Sequence, residues 1–462
     1  MSTNQTSSGQ TSSGKSTAEQ KSWYFYDWAN SAYVTTTAAV LFSPYLTSVA
    51  EKAACGFATD DDVTCRANLD ILGIGVSPGS LVFYLVPLIT VLSAILLPII
   101  GAVADRSSNK PKFMASFAWA GSIAAASMVF VKGDNWQLGA VLLLIANLCL
   151  GASLVVYDAI LVDIASPDDR DRVSSRGWAL GYLGGGLLLA TNFGLLTFAE
   201  DLGLSTETAV RLCLLVAGIW WGAFTFIPLR GIAPRPPRDV VRTDGDTLLS
   251  RSFGQLIVTL KDLRNFKQTL IFLLAYLFYN DGIQTVIYAA SIYGEKELKF
   301  EKSTVLVAFL VVQFVGIVGA LLFGRLALRI GTRRTIMLTL GIWMVVVVGG
   351  FFLPEEKFLP FLVLAVGIGL VLGGSQALSR SFYSQLIPHG REAEYFSLYQ
   401  ACERGTSWFG MVVFGVVHQV SGSYRPAIVA LIVFFALGLV FLSRLDVRRG
   451  IEEAGNQVPA VL

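Results

Sequence analysis

The chain has 462 residues, of which 54% are hydrophobic and only 15% charged, with a mean hydropathy of +0.61; too little polar side chain remains to cover an apolar core, which excludes a water-soluble globular domain. A formal net charge of +2 offers no basic excess for nucleic acid, so the information lies in where the charges sit. Apolar stretches of about 20 residues recur almost end to end, each long enough to cross a hydrocarbon layer of roughly 30 Å as a helix, and about twelve can be counted. Barrel strands are disfavoured, because they run about ten residues and alternate, whereas these runs are apolar on every face.

In chain order, residues 1–22 are rich in Ser, Thr, Gln and Gly and read as a disordered tail, with no signal or transit pattern. Residues 23–230 read as a six-helix bundle with spans near 23–49, 79–104, 113–131, 137–164, 176–198 and 209–229. The first two are joined by a polar loop, Glu51 to Pro78, carrying Asp60, Asp61, Asp62, Cys55 and Cys65. A disulfide between those cysteines is possible if the loop faces an oxidising compartment, and free thiols are equally so. Cys149, Cys213 and Cys402 lie in apolar runs and read as small core residues. The fifth span carries Gly177, Gly181 and Gly185 at every fourth position, a bare face for a neighbouring helix to pack or slide on. Residues 231–267 form a Pro- and Arg-rich linker with a short amphipathic piece, Phe253 to Leu263. A second six-helix bundle occupies 268–443, with spans near 268–293, 304–327, 335–353, 358–386, 395–420 and 426–442, and 444–462 is a polar tail.

With both ends inside, about 25 of the 35 Lys and Arg fall in inner loops and tails, which places the termini and the linker in the cytoplasm. One inner loop repeats: Gly101, Asp105, Arg106 and Lys110 between spans 2 and 3 return, weakened, as Gly324, Arg329, Gly331, Arg333 and Arg334 between spans 8 and 9. A glycine five positions before an arginine, then a basic cluster, in the same order twice, reads as duplication, the usual construction of a transporter. Gly101 would permit close helix contact, Asp105 would accept hydrogen bonds from the amino end of a facing helix, and Arg106 and Lys110 would hold acidic partners, latching the cytoplasmic side. Leu328 stands where Asp105 has its counterpart, so the latch is expected to be one-sided.

Polar side chains inside apolar helices cost several kcal/mol unless paired or wet, which makes them functional candidates. Asp27 with Asn30, and Asp281 with Gln284, each place a carboxylate and an amide three positions apart on one helical face, in the first spans of the two bundles. Facing one another across a cavity, they would suit an ammonium or hydroxyl-bearing solute, or a proton. Asn280, Gln376, Glu403 and Arg404 complete that candidate site, and Arg404 facing Asp281 would form a buried pair, either a switch or a fixed structural contact. Asp27 also lies near the cytoplasmic end, where it could cap its helix. Arg380, toward that end, reads as part of an inner gate, and Asp163 as a partner for Arg106 or for Arg170 and Arg172. Asp158 is a further buried carboxylate in the fourth span. Tyr26, Tyr279, Tyr288 and Trp408 read first as packing or interfacial aromatics. The two histidines, His389 and His418, form no metal-ligand cluster, no nucleophile adjoins a base, and no cofactor or enzymatic activity is expected.

The loop Gly101, Asp105, Arg106, Lys110 resembles the G-x-x-x-D-R-x-G-x-R-R loop of the major facilitator superfamily, with Ser108 in place of its glycine and Pro111 in place of a basic residue. Within that superfamily, the run Tyr26-Asp27-Trp28-Ala29-Asn30-Ser31, the glycine run Gly177 to Gly186, and the runs Tyr279 to Thr285 and Gly373 to Ser381 together resemble the vacuole-effluxer branch. The resemblance covers nearly the whole chain. It implies an all-α membrane protein of twelve helices in two pseudo-symmetric six-helix bundles, working by alternating access on a small polar solute. It further implies amino acids as the leading substrate class; proton coupling through a buried carboxylate is expected beside it. The short basic loops and undecorated tails suggest a bacterial plasma membrane; the expected partners are solute, protons and lipid, with no nucleic acid, and a monomer is expected although the sequence leaves the oligomeric state open. Export of drugs or other hydrophobic solutes is the competing transporter reading, and a non-transporting receptor or scaffold the reading from another class.

Overall fold

The computed structural model describes residues 15–56, 65–71, 73–237, 261–405 and 407–462. The first bundle comprises α1 (Ala18–Tyr33), a π-helical stretch Val34–Leu41, α2 (Phe42–Cys55), α3 (Leu81–Asp105), α4 (Lys110–Ser127), α5 (Trp136–Ile164), α6 (Arg170–Thr197), α7 (Thr206–Phe224) and α8 (Phe226–Gly231). The second comprises α9 (Lys267–Ile292), α10 (Lys302–Ile330), α11 (Thr332–Phe351), α12 (Phe358–Gln385), α13 (Glu392–Gly405), α14 (Ser407–Ser421), α15 (Tyr424–Ala430) and α16 (Ile432–Arg444), followed by α17 (Val447–Glu453). Among the described residues, ten helices are long and apolar enough to cross a bilayer. The other two expected spans fall on interrupted helices: α1 and α2 are separated by the π stretch, and α13 and α14 meet at Thr406, outside the described residues.

Local chemistry sets the helix ends. Thr17 and Gln20 form a capping box at the start of α1, Asn109 accepts the Lys112 N–H at the start of α4, and Ser205 accepts that of Thr208 at the start of α7. Gly331, at φ +93°, makes the sharp joint between α10 and α11, a backbone conformation closed to most side chains. The tail expectation for residues 1–22 fails at its last residues: α1 begins at Ala18, because the capping box forms and buried Gln20 donates to the Ile164 carbonyl at 2.9 Å. Residues 1–14 lie outside the described residues, as do Asp60, Asp61, Asp62 and the linker stretch 238–260, including most of the expected amphipathic piece. The loop after α2 is not uniformly irregular: it contains an antiparallel hairpin, β1 (Leu69–Ile71) and β2 (Ile74–Val76), in the register Leu69 to Val76. Cys55 and Cys65 are joined by a disulfide, while Cys149, Cys213 and Cys402 are free.

Helices in lipid associate by close fit, since burying apolar surface against apolar lipid brings little. The glycine stripe of α6 shows this within the first bundle: a Cβ on Gly181 would meet Ser31 Oγ at 2.7 Å, and one on Gly184 would meet the Trp28 carbonyl at 2.7 Å. The stripe therefore packs against α1. The bundles meet chiefly through α6 against α10 and α12, and through α3 against α13. The polar segment after α16 is ordered: Asn456 donates to the Gln385 and Ile387 carbonyls, both at 2.8 Å, and the Ala460 N–H donates to Asp168 of the first bundle at 2.7 Å.

Candidate functional site

Arg380 of α12 carries the densest set of polar contacts between the bundles. Its guanidinium grips Asp27 of α1 at both oxygens, at 3.2 and 2.9 Å, and reaches Asp158 of α5 at 3.5 Å. It also donates to the Ser174 hydroxyl at 3.0 Å and the Ser174 carbonyl at 3.1 Å on α6. The Gln400 amide holds the other oxygen of Asp158 at 2.9 Å. Trp23, Tyr157 and Trp178 surround the guanidinium, with ring centroids 4.7, 5.3 and 5.4 Å from its carbon. Cation–π attraction and a forked carboxylate together favour arginine over lysine in so dry a place. Gly177 makes the room, since a Cβ there would lie 2.5 Å from Asp27 Oδ2 and 3.1 Å from Arg380 Nη2.

This arrangement changes the place of Asp27. The paired sites expected across a cavity, Asp27 with Asn30 facing Asp281 with Gln284, do not form. Asp27 is taken by Arg380, and Asn30 turns back to donate to the Tyr26 carbonyl at 2.6 Å. Helical spacing puts residues on one face, but a guanidinium from the other bundle is a far stronger partner than a neighbouring amide.

A second cluster gathers where α9, α12, α13 and α14 meet. Asn280 donates to the Glu403 carbonyl and accepts from the Gln376 amide, both at 3.2 Å. Asp281 accepts the Gly410 N–H at 2.8 Å through Oδ2. Gly410 is the fourth residue of α14, where backbone N–H groups lack helical acceptors and the helix end is partly positive. The second oxygen of Asp281 and the Thr285 hydroxyl, one turn further along α9, are buried and without a hydrogen-bond partner. Gln284 is half-buried. Arg404 does not face Asp281 as an ion pair: its Nε lies 3.4 Å from the Gln400 side-chain oxygen, near Gly151 of α5 and within electrostatic reach of Tyr33 and Tyr288. Tyr288, two turns along α9 from Asp281, is 46% exposed, whereas Asp281 itself is fully enclosed. Tyr26 and Tyr279 are buried and hydrogen-bond to Ser153 and Ser379. The Trp408 side chain lies outside the described residues.

At the end of the molecule where α1 begins and α16 ends, the bundles are latched. Asp105 accepts the N–H groups of Ala393 and Glu394, both at 2.9 Å, and so caps α13 from the other bundle. Lys110 sits among Asp163, Glu392 and Asp105 at 3.3, 3.7 and 3.8 Å. A Cβ on Gly101 would strike the Ala393 carbonyl at 2.5 Å, so only glycine allows that approach. Arg391 binds Glu394 and Asp262 at 2.9 and 3.0 Å; burial works against its charge, but these carboxylates outweigh it and hold its pKa above the ordinary value. Arg106 and exposed Arg329 make no ion pair among the described residues, so Asp163 pairs with Lys110. Arg333 donates to the Ser443 carbonyl at 2.8 Å, within its own bundle.

The repeat holds sterically on the other side of the pseudo-twofold, where Gly324 packs against Ser175 of α6. Leu328 supplies no cap there. Asp171, from the first turn of α6, joins the bundles there without capping α11: it accepts from the side-chain hydroxyls of Thr332 and Ser381, both at 2.5 Å. Arg170 adds a bond to the Ser384 carbonyl at 2.8 Å. The latch is therefore two-sided, built from different residues on each side. The signal for it in the sequence is an acidic residue, Asp171, entering a helix just after Pro167. At the opposite end, Gln313 donates to Thr35 across the bundles at 3.0 Å, while Lys52 pairs with Glu207 and Arg425 with Glu297, each within one bundle. This is a state closed at the end where α1 begins and α16 ends.

Residues 15–455 match the family described as "Vacuole effluxer Atg22 like". The chain is 30% identical to an uncharacterized MFS-type transporter, YxiO, of Bacillus subtilis, over 92% of this chain and 94% of that one. It is 26% identical to autophagy-related protein 22-1 of Phaeosphaeria nodorum, over 84% and 80% of the two chains. Among solved structures, the proton:xylose symporter XylE superposes with a TM-score of 0.67 at 11% identity, covering 92% of this chain and 95% of that one. A bacterial homologue of the iron transporter ferroportin, in an outward-facing state, gives 0.63 at 13% identity over 93% and 98%. At such identities the likeness concerns the fold.

Proposed function

The chain belongs to the Atg22-like vacuole effluxer family, with major facilitator transporters as its relatives, and on that premise we propose that this secondary transporter carries amino acids by alternating access with proton coupling. The observation that carries the reading is the free oxygen of Asp281 beside the free Thr285 hydroxyl, both buried. A buried carboxylate with an unfilled acceptor calls for a cation or a proton. The ammonium group of an amino acid meets that demand, and Arg404, whose Nε donates to the Gln400 side chain and whose charge acts on Glu403, suits its carboxylate. When the solute is absent, a proton at Asp281 relieves the same charge. Exposed Tyr288 supports entry from the end opposite the termini.

Passage then requires the other end to open, which means Arg380 leaving Asp27 and Asp158, and the α13 cap leaving Asp105. The termini, the linker and both glycine-arginine loops belong on the cytoplasmic side in this reading. Charge placement and the Cys55–Cys65 disulfide in the opposite loop support that orientation.

The test is counterflow of a labelled amino-acid mixture into proteoliposomes, comparing the intact chain with Asp281→Asn, with and without a pH gradient. We expect counterflow with the intact chain, and in Asp281→Asn a loss of at least about tenfold in the pH-driven component, the effect of removing one charged hydrogen bond. Absence of counterflow for every amino acid in folded protein would exclude the substrate class. An unchanged pH-driven component in Asp281→Asn would remove that residue as the proton site.

A further inference from the structure

Three arginines converge outside the transport site. A cavity of about 280 Å³ opens where α11 begins and α16 ends, lined by Arg333, Arg334, Asp446, Val447, Arg448 and Leu462. Among the described residues, none of its arginines lies within ion-pair distance of a carboxylate, although the adjacent Arg449 is paired with Glu453 at 2.7 Å. Arg333 Nε is buried with no partner at all. The lining holds two carboxylates: Asp446 caps α17 by accepting the Arg449 N–H at 3.1 Å, and the α-carboxylate of Leu462 packs against Gly331. The amino end of the 20-residue α11 adds its partial positive charge.

We propose that this cavity binds a phosphoryl group, carried by an anionic phospholipid headgroup or by a soluble phosphate ester. Three guanidinium groups, two of them exposed, against two carboxylates leave the cavity a net positive charge, and planar forked donors match phosphate oxygens. The place suits a headgroup. The lining residues stand where two spanning helices end, at the depth of lipid phosphates, and basic pockets between helix ends are headgroup sites. Occupancy has a structural consequence, because the segment that closes the cavity continues to Asn456, held by the end of α12, and Ala460, held by Asp168 of the first bundle. A phosphoryl group in the cavity thus secures a strap across the closed end of the molecule.

The experiment uses the full chain in detergent, with phosphatidylglycerol, phosphatidylcholine and soluble glycerol phosphate as probes, read by native mass spectrometry and by the thermal midpoint. The variants are Arg333→Gln/Arg334→Gln/Arg448→Gln together, each single change, and Arg449→Gln as a control. Retention of phosphatidylglycerol over phosphatidylcholine should weaken about fivefold for each arginine removed and be unchanged in Arg449→Gln. Displacement by glycerol phosphate would assign a soluble ester, and failure of displacement a lipid; both support a phosphate site. Equal binding of both phosphate probes by the intact chain and by the folded single variants overturns the proposal, as does no binding by the intact chain. The single variants keep the test valid should the triple variant not fold.

Discussion

At the scale of single residues, Arg380 matters because its partners come from the other bundle. Removing one member of a buried pair leaves an uncompensated charge and costs roughly 3–5 kcal/mol, whereas removing both members costs much less. Arg380→Gln should therefore lower the thermal midpoint and abolish transport, and Asp27→Asn should do so more mildly, since Asp158 remains for the guanidinium. The double variant should recover part of the stability lost in Arg380→Gln. A double-mutant cycle on the midpoint of unfolding checks this, and strict additivity of the two changes would show that the pair is not coupled. Arg380→Lys should not restore transport, because a lysine reaches as a point charge and loses the fork on Asp27. Asp27, Asp158 and Arg380 could each be picked out of the sequence as intramembrane charges. Their pairing could not, because Asp27 and Arg380 are 353 positions apart, and every buried carboxylate was an equally good candidate.

At the scale of elements, the position of α6 depends on what its glycines leave empty. Gly177→Ala would wedge a methyl between Asp27 and Arg380, while the Cβ of Gly194→Ala, on the same helix, would meet nothing. The first should cost a few kcal/mol by overpacking and should cut transport by at least about tenfold. The second should leave transport unchanged, with stability equal or slightly raised, because alanine favours the helix by up to about 1 kcal/mol. Stability and counterflow measured side by side decide it: equal effects of the two substitutions would mean that the helix tolerates any Cβ. The recurrence of glycine at every fourth position was legible as a packing face. Which neighbour it packs on was not, since rotation of a helix about its axis is settled by all the side chains around it.

At the scale of the whole molecule, the closed end and the disulfide end should lie on opposite sides of the membrane. In intact cells, an impermeant thiol reagent should label Cys65 only after mild reduction, while a cysteine introduced as Glu453→Cys should react only once the membrane is opened. The reverse pattern would invert the orientation. The sequence by itself determined the all-helical membrane class, the positions of the spans to within a few residues, the family, and the duplicated loop with Asp105 as a helix cap; these depend on run length, composition and local order along the chain. Only the tertiary structure decided that Arg380 takes Asp27 and Asp158, that Asp171 joins the bundles through the Thr332 and Ser381 hydroxyls where Leu328 cannot, and that Asp281 meets Gly410 and leaves one oxygen free. The physical reason is that a buried polar group must find a partner, but the chain states only the need. The packing of twelve expected spans against one another selects which of several chemically equivalent partners comes within reach.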